Sequence, residues 1–172
     1  MIDIFSDYKV LVFKVGQEEF GLHISQIVSI ERMQGINISS YPNRQPHVLG
    51  FSSIRNVVTP IVDLRSALNG NSLNHTEGSR ILVVKVSDKE IGLVVDHATD
   101  VLDITEETIQ YPNLMESKAA SYLKGVVKLE NRFVILLDIE KLLEDTTNLD
   151  ELKHILEKFI DRDGLLESEK ER

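Results

Sequence analysis

The 172-residue sequence contains no cysteine and no tryptophan, and aromatic residues make up only 6% of it. Without cysteine there are no disulfides, thiol nucleophiles or thiolate-bound zinc ions, and the composition fits a reducing compartment. Basic residues are fewer than acidic ones, 19 against 28, for a formal net charge of −9. Because an acidic surface repels phosphate and single-strand binding uses basic residues interleaved with aromatics, we do not expect nucleic acid as a partner.

Long uncharged apolar segments are missing as well. No stretch approaches the roughly 18 residues that a membrane-spanning helix needs. The first 16 residues place acidic side chains before the apolar run and lack the basic start of a signal peptide. Hydrophobic residues nevertheless make up 42% of the chain, which is enough for a packed core. We therefore expect a cytoplasmic globular protein.

Signatures of catalysis are also missing. The sequence has no GxSxG, P-loop, GxGxxG or HExxH motif. Asp63 and Asp138 fit helix N-caps better than a catalytic pair, and Ser52-Ser53 has no neighbouring histidine. The histidines never fall at metal-ligand spacing; they are His23, His47, His75, His97 and His154. The sequence predicts no catalytic residue, no metal site and no cofactor.

An internal repeat is the clearest positive feature. KVLVFKVGQEEFGLHISQIVSI, from Lys9 to Ile30, aligns without a gap on RILVVKVSDKEIGLVVDHATDV, from Arg80 to Val101. GFSSIRNVVTPIVDLRSAL, from Gly50 to Leu68, aligns in the same way on GVVKLENRFVILLDIEKLL, from Gly125 to Leu143. The tripeptide YPN occurs between the two blocks in both halves. Collinear blocks of this kind indicate a duplicated unit.

Each unit contains short runs rich in Val, Ile, Leu and Phe, separated by tight polar turns. This spacing favours small antiparallel barrels over βαβ units. We predict a mainly β fold of two five-stranded barrels, and an exchange of strands between them stays open. The predicted strands are Val10–Val15, Glu19–Ile24, Ile27–Arg32, Val48–Ile54 and Val57–Asp63, then Ile81–Val86, Glu90–Val95, Thr99–Asp103, Lys124–Leu129 and Arg132–Asp138.

The predicted division of the chain follows the repeat. Residues 1–79 form the first barrel with an Asn/Gly/Ser-rich linker at Ser66–Ser79, and residues 80–144 form the second barrel. Residues 145–172 form an amphipathic C-terminal α-helix followed by a frayed end, because apolar residues recur at helical spacing from Leu149 to Ile160. That helix could dock on a barrel or bind a partner.

Four motifs in order resemble the CheW family of bacterial chemotaxis coupling proteins: GQEEFGL, GFSSIR, PIVDLR and GLVVD followed by DVL. The resemblance runs from Val10 to Leu143. It implies two SH3-like barrels and a non-enzymatic scaffold that bridges the cytoplasmic tip of a chemoreceptor to the regulatory domain of a CheA-type histidine kinase. Such a protein reaches the membrane only indirectly, through the receptors. A CheV-type coupler would carry a receiver domain, for which 172 residues leave no room.

Two alternatives remain. One is a divergent CheW-like paralogue that serves a signalling array unrelated to motility, and the other is a small ligand-binding β-barrel. The first gains some weight because the family's Ile-Asn-Leu-Arg-Gly motif is Ser52-Ser53-Ile54-Arg55-Asn56 in this chain. Ser29 also stands where the family often has an acidic residue, so Glu31 is the alternative partner for Arg55.

The resemblance also implies contact residues. Those expected to bind the receptor are Arg55, Ile27, Ile30, Val94, Val95 and Val101. Those expected to bind the kinase are Gly50, Gln110, Leu114 and Met115.

Overall fold

The structure is a computed structural model that describes residues 8–43, 47–69, 77–111 and 122–144. Its strands are β1 Tyr8–Val15, β2 Glu18–His23, β3 Ile27–Arg32, β4 Val48–Ile54, β5 Val57–Asp63, β6 Arg80–Val86, β7 Lys89–Val95, β8 His97–Ile104, β9 Ile109–Gln110, β10 Leu123–Lys128 and β11 Phe133–Leu137. Two short helices, α1 Leu64–Asn69 and α2 Ile139–Leu143, follow β5 and β11. The predicted mainly β fold is confirmed.

The helices begin as the sequence predicts. The Asp138 carboxylate accepts a hydrogen bond of 3.2 Å from the backbone N–H of Lys141. The Asp63 carboxylate accepts one of 3.0 Å from the backbone N–H of Arg65 and also pairs with the Arg65 guanidinium. Both aspartates therefore satisfy backbone N–H groups that a helix start leaves unpaired.

The strands form two sheets, and each sheet contains strands from both repeats. Sheet A has six strands in the order β8-β1-β2-β11-β10-β9, and sheet B has five in the order β3-β6-β7-β5-β4. The N-terminal hairpin of each repeat therefore lies in the sheet that contains the remaining strands of the other repeat: β1 and β2 lie with β8–β11, and β6 and β7 lie with β3–β5. Parallel pairs, β2 with β11 and β5 with β7, attach the exchanged hairpins.

Each sheet therefore combines strands from residues 1–79 with strands from residues 80–144. The boundary between residues 79 and 80 separates the two sequence repeats, but it does not separate the two sheets. The exchange that the sequence left open is present in the structure. The predicted helix and tail at 145–172 lie outside the described residues.

Irregularities in the strand pairing recur at equivalent places in the two sheets. The pairing of β1 with β8 shifts register after Val12, and that of β3 with β6 shifts after Ile27. Gly50 in β4 and Gly125 in β10 mark a second pair of shifts, with φ angles of 147° and 144°. A Cβ on Gly50 would collide with the backbone carbonyl of Ser39, so this position requires glycine.

Three apolar clusters hold the structure together. The inter-sheet core contains residues from both sheets and both helices, among them Phe13, Phe20, Leu82, Leu93 and Val126. The sheet A core consists of Val10, Val12, Ile104, Val127, Val134 and Leu136. The sheet B core consists of Met33, Ile54, Ile61, Ile81, Val83 and Val94. Strands such as β1 are buried on both faces, which explains their nearly continuous apolar sequence.

Candidate functional site

Within the four described segments, no group of three or more His, Asp or Glu side chains is arranged to hold a metal ion. The same segments contain no helix that is long and apolar enough to cross a membrane. The surface features that remain are exposed apolar side chains and unpaired charges. In a protein with closed cores, such features mark places where another protein can bind.

Ile30 and Val101 are the first of these features. They occupy equivalent positions in the repeat, on the edge strands β3 and β8, and their side chains are 45% and 51% exposed. Ile30 lies opposite Leu82, and Val101 lies opposite Leu11; both of these partners belong to the inter-sheet core. Ile27 is half-buried and packs against the same core. On each edge strand, an exposed apolar side chain therefore lies directly beside the inter-sheet core. We call these two places, at Ile30 and at Val101, the edge-strand margins.

The turn between β4 and β5 presents Arg55. Arg55 and Asn56 have φ angles of 54° and 68°, the left-handed conformation of a two-residue type I′ turn. Asparagine tolerates this conformation, so Asn56 keeps the turn in which the family has glycine. The exposed Arg55 makes no ion pair with Glu31 or with any other described residue. The alternative salt bridge to Glu31 is therefore not formed.

A third feature, which we call the β4–β5 patch, consists of Tyr41, Phe51, Val58 and Pro60. Phe51 lies opposite Pro60, and Ser53 lies opposite Val58, so alternation places Phe51, Val58 and Pro60 on one face. The Tyr41 and Phe51 rings stack with centroids 6.0 Å apart, and Val58 is 71% exposed. The sequence did not lead us to predict this patch. Its signal was Val57-Val58, two adjacent apolar residues directly after a turn.

A CheW-like domain model matches residues 9–147, which is most of the chain. The chain belongs to the CheW family. It is 32% identical to the chemotaxis protein CheW of Bacillus subtilis over 137 residues, which cover 79% of this chain and 86% of that protein. It is 33% identical to CheW of Klebsiella aerogenes over 135 residues, which cover 77% and 80%.

The fold agrees with a solved member of the CheW family. The crystal structure of the scaffolding protein TtCheW from Thermoanaerobacter tengcongensis matches with a TM-score of 0.69 and 23% identity. The match covers 79% of this chain and 87% of that one. The expectation of a CheW fold with two SH3-like barrels is therefore confirmed.

The residues that the CheW resemblance assigned to the receptor divide by exposure. Arg55, Ile30 and Val101 are exposed, and Ile27 is half-buried. Val94 and Val95 are fully buried, the first in the sheet B core and the second in the inter-sheet core. In this structure neither valine can touch a partner directly, because both faces of β7 are covered.

The residues assigned to the kinase also divide. Gln110 is exposed on the short strand β9, beside Tyr111, which is 68% exposed. Gly50 is buried at the strand irregularity described above, so its place in the structure is explained by backbone geometry. Leu114 and Met115 lie outside the described residues. The contacts assigned to this group stay predictions.

Proposed function

We propose that this protein is a non-enzymatic chemotaxis adaptor that couples chemoreceptors to a CheA-type histidine kinase in the cytoplasm. The supporting observation is that the described residues form three closed cores and still expose apolar side chains, with two sets of them on different strands. These are the edge-strand margins at Ile30 and Val101 and the β4–β5 patch. An adaptor needs at least two such faces, one for each partner.

The receptor face proposed for this chain is the pair of edge-strand margins. Ile30 and Val101 lie beside the inter-sheet core, so a helix packed along either margin would extend apolar packing that already exists. The tip of a chemoreceptor is a helical hairpin, which can present one apolar face to such a margin. Arg55 adds an unpaired guanidinium, a group well suited to protein interfaces.

The kinase face proposed for this chain is the β4–β5 patch, together with Gln110 and Tyr111. Phe51 and Val58 supply a flat apolar surface, and aromatic residues are enriched at the centres of interfaces. The regulatory domain of a CheA-type kinase is itself CheW-like, so two related barrels would meet there. Gln110 lies on strand β9 of sheet A and Tyr111 follows it directly, so this segment forms a second contact with a neighbouring kinase in a ring.

Calorimetric titration with the kinase regulatory domain and with a receptor tip fragment tests these assignments. Val58→Asp buries a charge in the kinase interface and should weaken kinase binding at least about tenfold while receptor binding is kept. Ile30→Asp should give the reverse pattern. Gln17→Asp, in an exposed turn, is the control for the added charge.

Equal losses for both partners with either substitution would refute the assignment of two separate faces. Absence of binding to either partner by the unchanged protein would refute the coupling function itself. Circular dichroism of each variant separates loss of a contact from loss of the fold.

A further inference from the structure

Two pairs of charged residues occupy equivalent places at the edges of the two sheets. In sheet A, Lys9 of β1 lies directly opposite Asp103 of β8, and Lys9 Nζ is 2.6 Å from Asp103 Oδ1. In sheet B, the equivalent residues are Arg80 of β6 and Arg32 of β3, which also lie directly opposite each other. An ion pair in one sheet is therefore a pair of like charges in the other.

The arginine pair lacks the carboxylate that its counterpart contains. Side chains directly opposite each other on antiparallel strands have Cβ atoms about 5 Å apart, and like charges at that distance repel. The chain carries 28 acidic residues, yet no described carboxylate forms an ion pair with Arg32 or Arg80. Two guanidinium groups without an ion-pair partner among the described residues therefore lie at this edge, although the protein as a whole is strongly negative.

Arg80 is held in position by the backbone. Its Nη1 donates hydrogen bonds of 2.7 Å to the carbonyl oxygen of Glu77 and 2.9 Å to that of Ser79. The guanidinium plane is therefore fixed by one nitrogen, while Nη2 and Nε make no hydrogen bond to any described residue. A guanidinium fixed in this way loses less conformational freedom when it binds an oxyanion through two parallel hydrogen bonds.

A cavity of about 270 Å³ lies between the two arginines. It is lined by Arg32, Met33, Gln34, Glu77, Ser79 and Arg80. Glu77 is exposed, and it holds Arg80 through its backbone carbonyl; its carboxylate forms no ion pair with either arginine. The residues that line the cavity thus include two arginines and Gln34, whose side chains carry N–H donors of the kind that bind a carboxylate.

We propose that the Arg32–Arg80 cavity binds a carboxylate side chain of a partner protein. The equivalent pair in sheet A shows that a carboxylate is the group that completes this arrangement. Ile30 lies two residues before Arg32 on the same face of β3, so a partner that packs on Ile30 brings its neighbouring acidic side chain to the cavity. Only the identity of that partner, a chemoreceptor, rests on the proposed function.

Titration of the protein with glutarate tests the cavity without any partner. The readout is the side-chain Nε–H signals of Arg32 and Arg80 in nitrogen-15 NMR spectra, at constant ionic strength maintained with chloride. We expect both signals to shift in a saturable manner. Arg32→Asp, which recreates the sheet A pairing with Arg80, should weaken glutarate binding at least about tenfold. Lys128→Asp makes the same charge change at an exposed position of β10 and should leave binding unchanged.

Three outcomes would overturn the proposal. Signals that only drift in parallel in all variants would show a general ionic effect. Equal loss of binding in Lys128→Asp would show dependence on net charge alone. Inorganic phosphate that binds more tightly than glutarate would reassign the cavity to a tetrahedral oxyanion. Failure of receptor binding with glutarate binding intact would remove the proposed coupling function and leave the carboxylate site in place.

Discussion

Apart from the additional strand β9 of sheet A, sheets A and B have equivalent strand orders and the same irregularities, yet equivalent positions in them have different chemistry. The sheet A core contains Val127 and Val134, whereas the equivalent positions of sheet B are the buried Ser52 and Thr59. The Ser52 hydroxyl donates to the Asn37 carbonyl at 2.7 Å, and the Thr59 hydroxyl donates to the Val57 carbonyl at 2.9 Å. Duplication thus preserved the backbone, and the hydroxyls of sheet B are tolerated because each has an acceptor.

The opposite faces of the same strands also differ. Val126 and Ile135 of sheet A are buried, with exposures of 3% and 4%, and both belong to the inter-sheet core. Their equivalents in sheet B are Phe51 and Pro60 of the β4–β5 patch, which are exposed. One copy of the unit therefore has this face covered within the protein, and the other copy leaves it open for a partner.

The largest effect that we expect comes from the two equivalent glycines. Gly50→Ala should destabilise the fold by about 3 kcal/mol or more, because the new Cβ meets the backbone of Ser39 at a φ angle that alanine disfavours. Gly125→Ala should cost less, since its most severe contact is the Ile109 side chain, which can move. Urea denaturation measures both. Equal losses of stability in the two variants would contradict the difference between the surroundings of Gly50 and Gly125.

Substitution of an interior residue of one sheet by its equivalent from the other sheet should have the next largest effect on stability. Val134→Thr places a hydroxyl in the sheet A core and should cost about 2 kcal/mol. The reciprocal change Thr59→Val removes one hydrogen bond, from a buried hydroxyl to the Val57 carbonyl, and should cost about 1 kcal/mol or less. Denaturation midpoints check the order. A larger loss for Thr59→Val would mean that the hydroxyls of sheet B are structurally required.

Conversion of the charged pairs should have a smaller effect. Asp103→Arg makes sheet A resemble sheet B and should destabilise it by about 0.5 kcal/mol, because the pair with Lys9 is well exposed. Arg32→Asp should stabilise sheet B by a similar amount and raise the melting temperature by about 1–2 °C. Calorimetry at low and high salt is the check, and both changes should shrink as salt increases.

The smallest effect concerns His23, whose equivalent in sheet B is the buried Val94. Partial burial, and to a lesser degree the charge of Lys124, lower the pKa of His23 below its ordinary value. The unfolded chain then binds a proton more readily than the folded one, so stability should fall as pH decreases below about 6.5. His23→Asn keeps an acceptor for the Ser25 N–H and should flatten this dependence. An unchanged pH profile would exclude His23 as its cause.

The sequence allowed prediction of the strands, the turns and the family, because these depend on local patterns and on the repeat. It could not determine the exchange, since β1–β2 and β6–β7 have similar patterns and either hairpin fits either sheet. Val94 and Val95 are buried in that arrangement. The CheW resemblance implied a receptor contact at these residues, and the sequence alone did not show that they would be covered. The β4–β5 patch was missed because alternation shows which side chains share a face but not whether anything covers it.

The parallel pair between β2 and β11 affects how the protein is made. Glu19 pairs with Val134, 115 positions further along the chain. At typical synthesis rates of about 5–20 residues per second, the N-terminal hairpin waits roughly 6–23 s on the ribosome before its partner strand exists. Sheet B needs nothing beyond Val95 and is complete earlier. Synthesis therefore completes the strands of the half with the open β4–β5 face first, and the N-terminal hairpin waits longest for a partner strand.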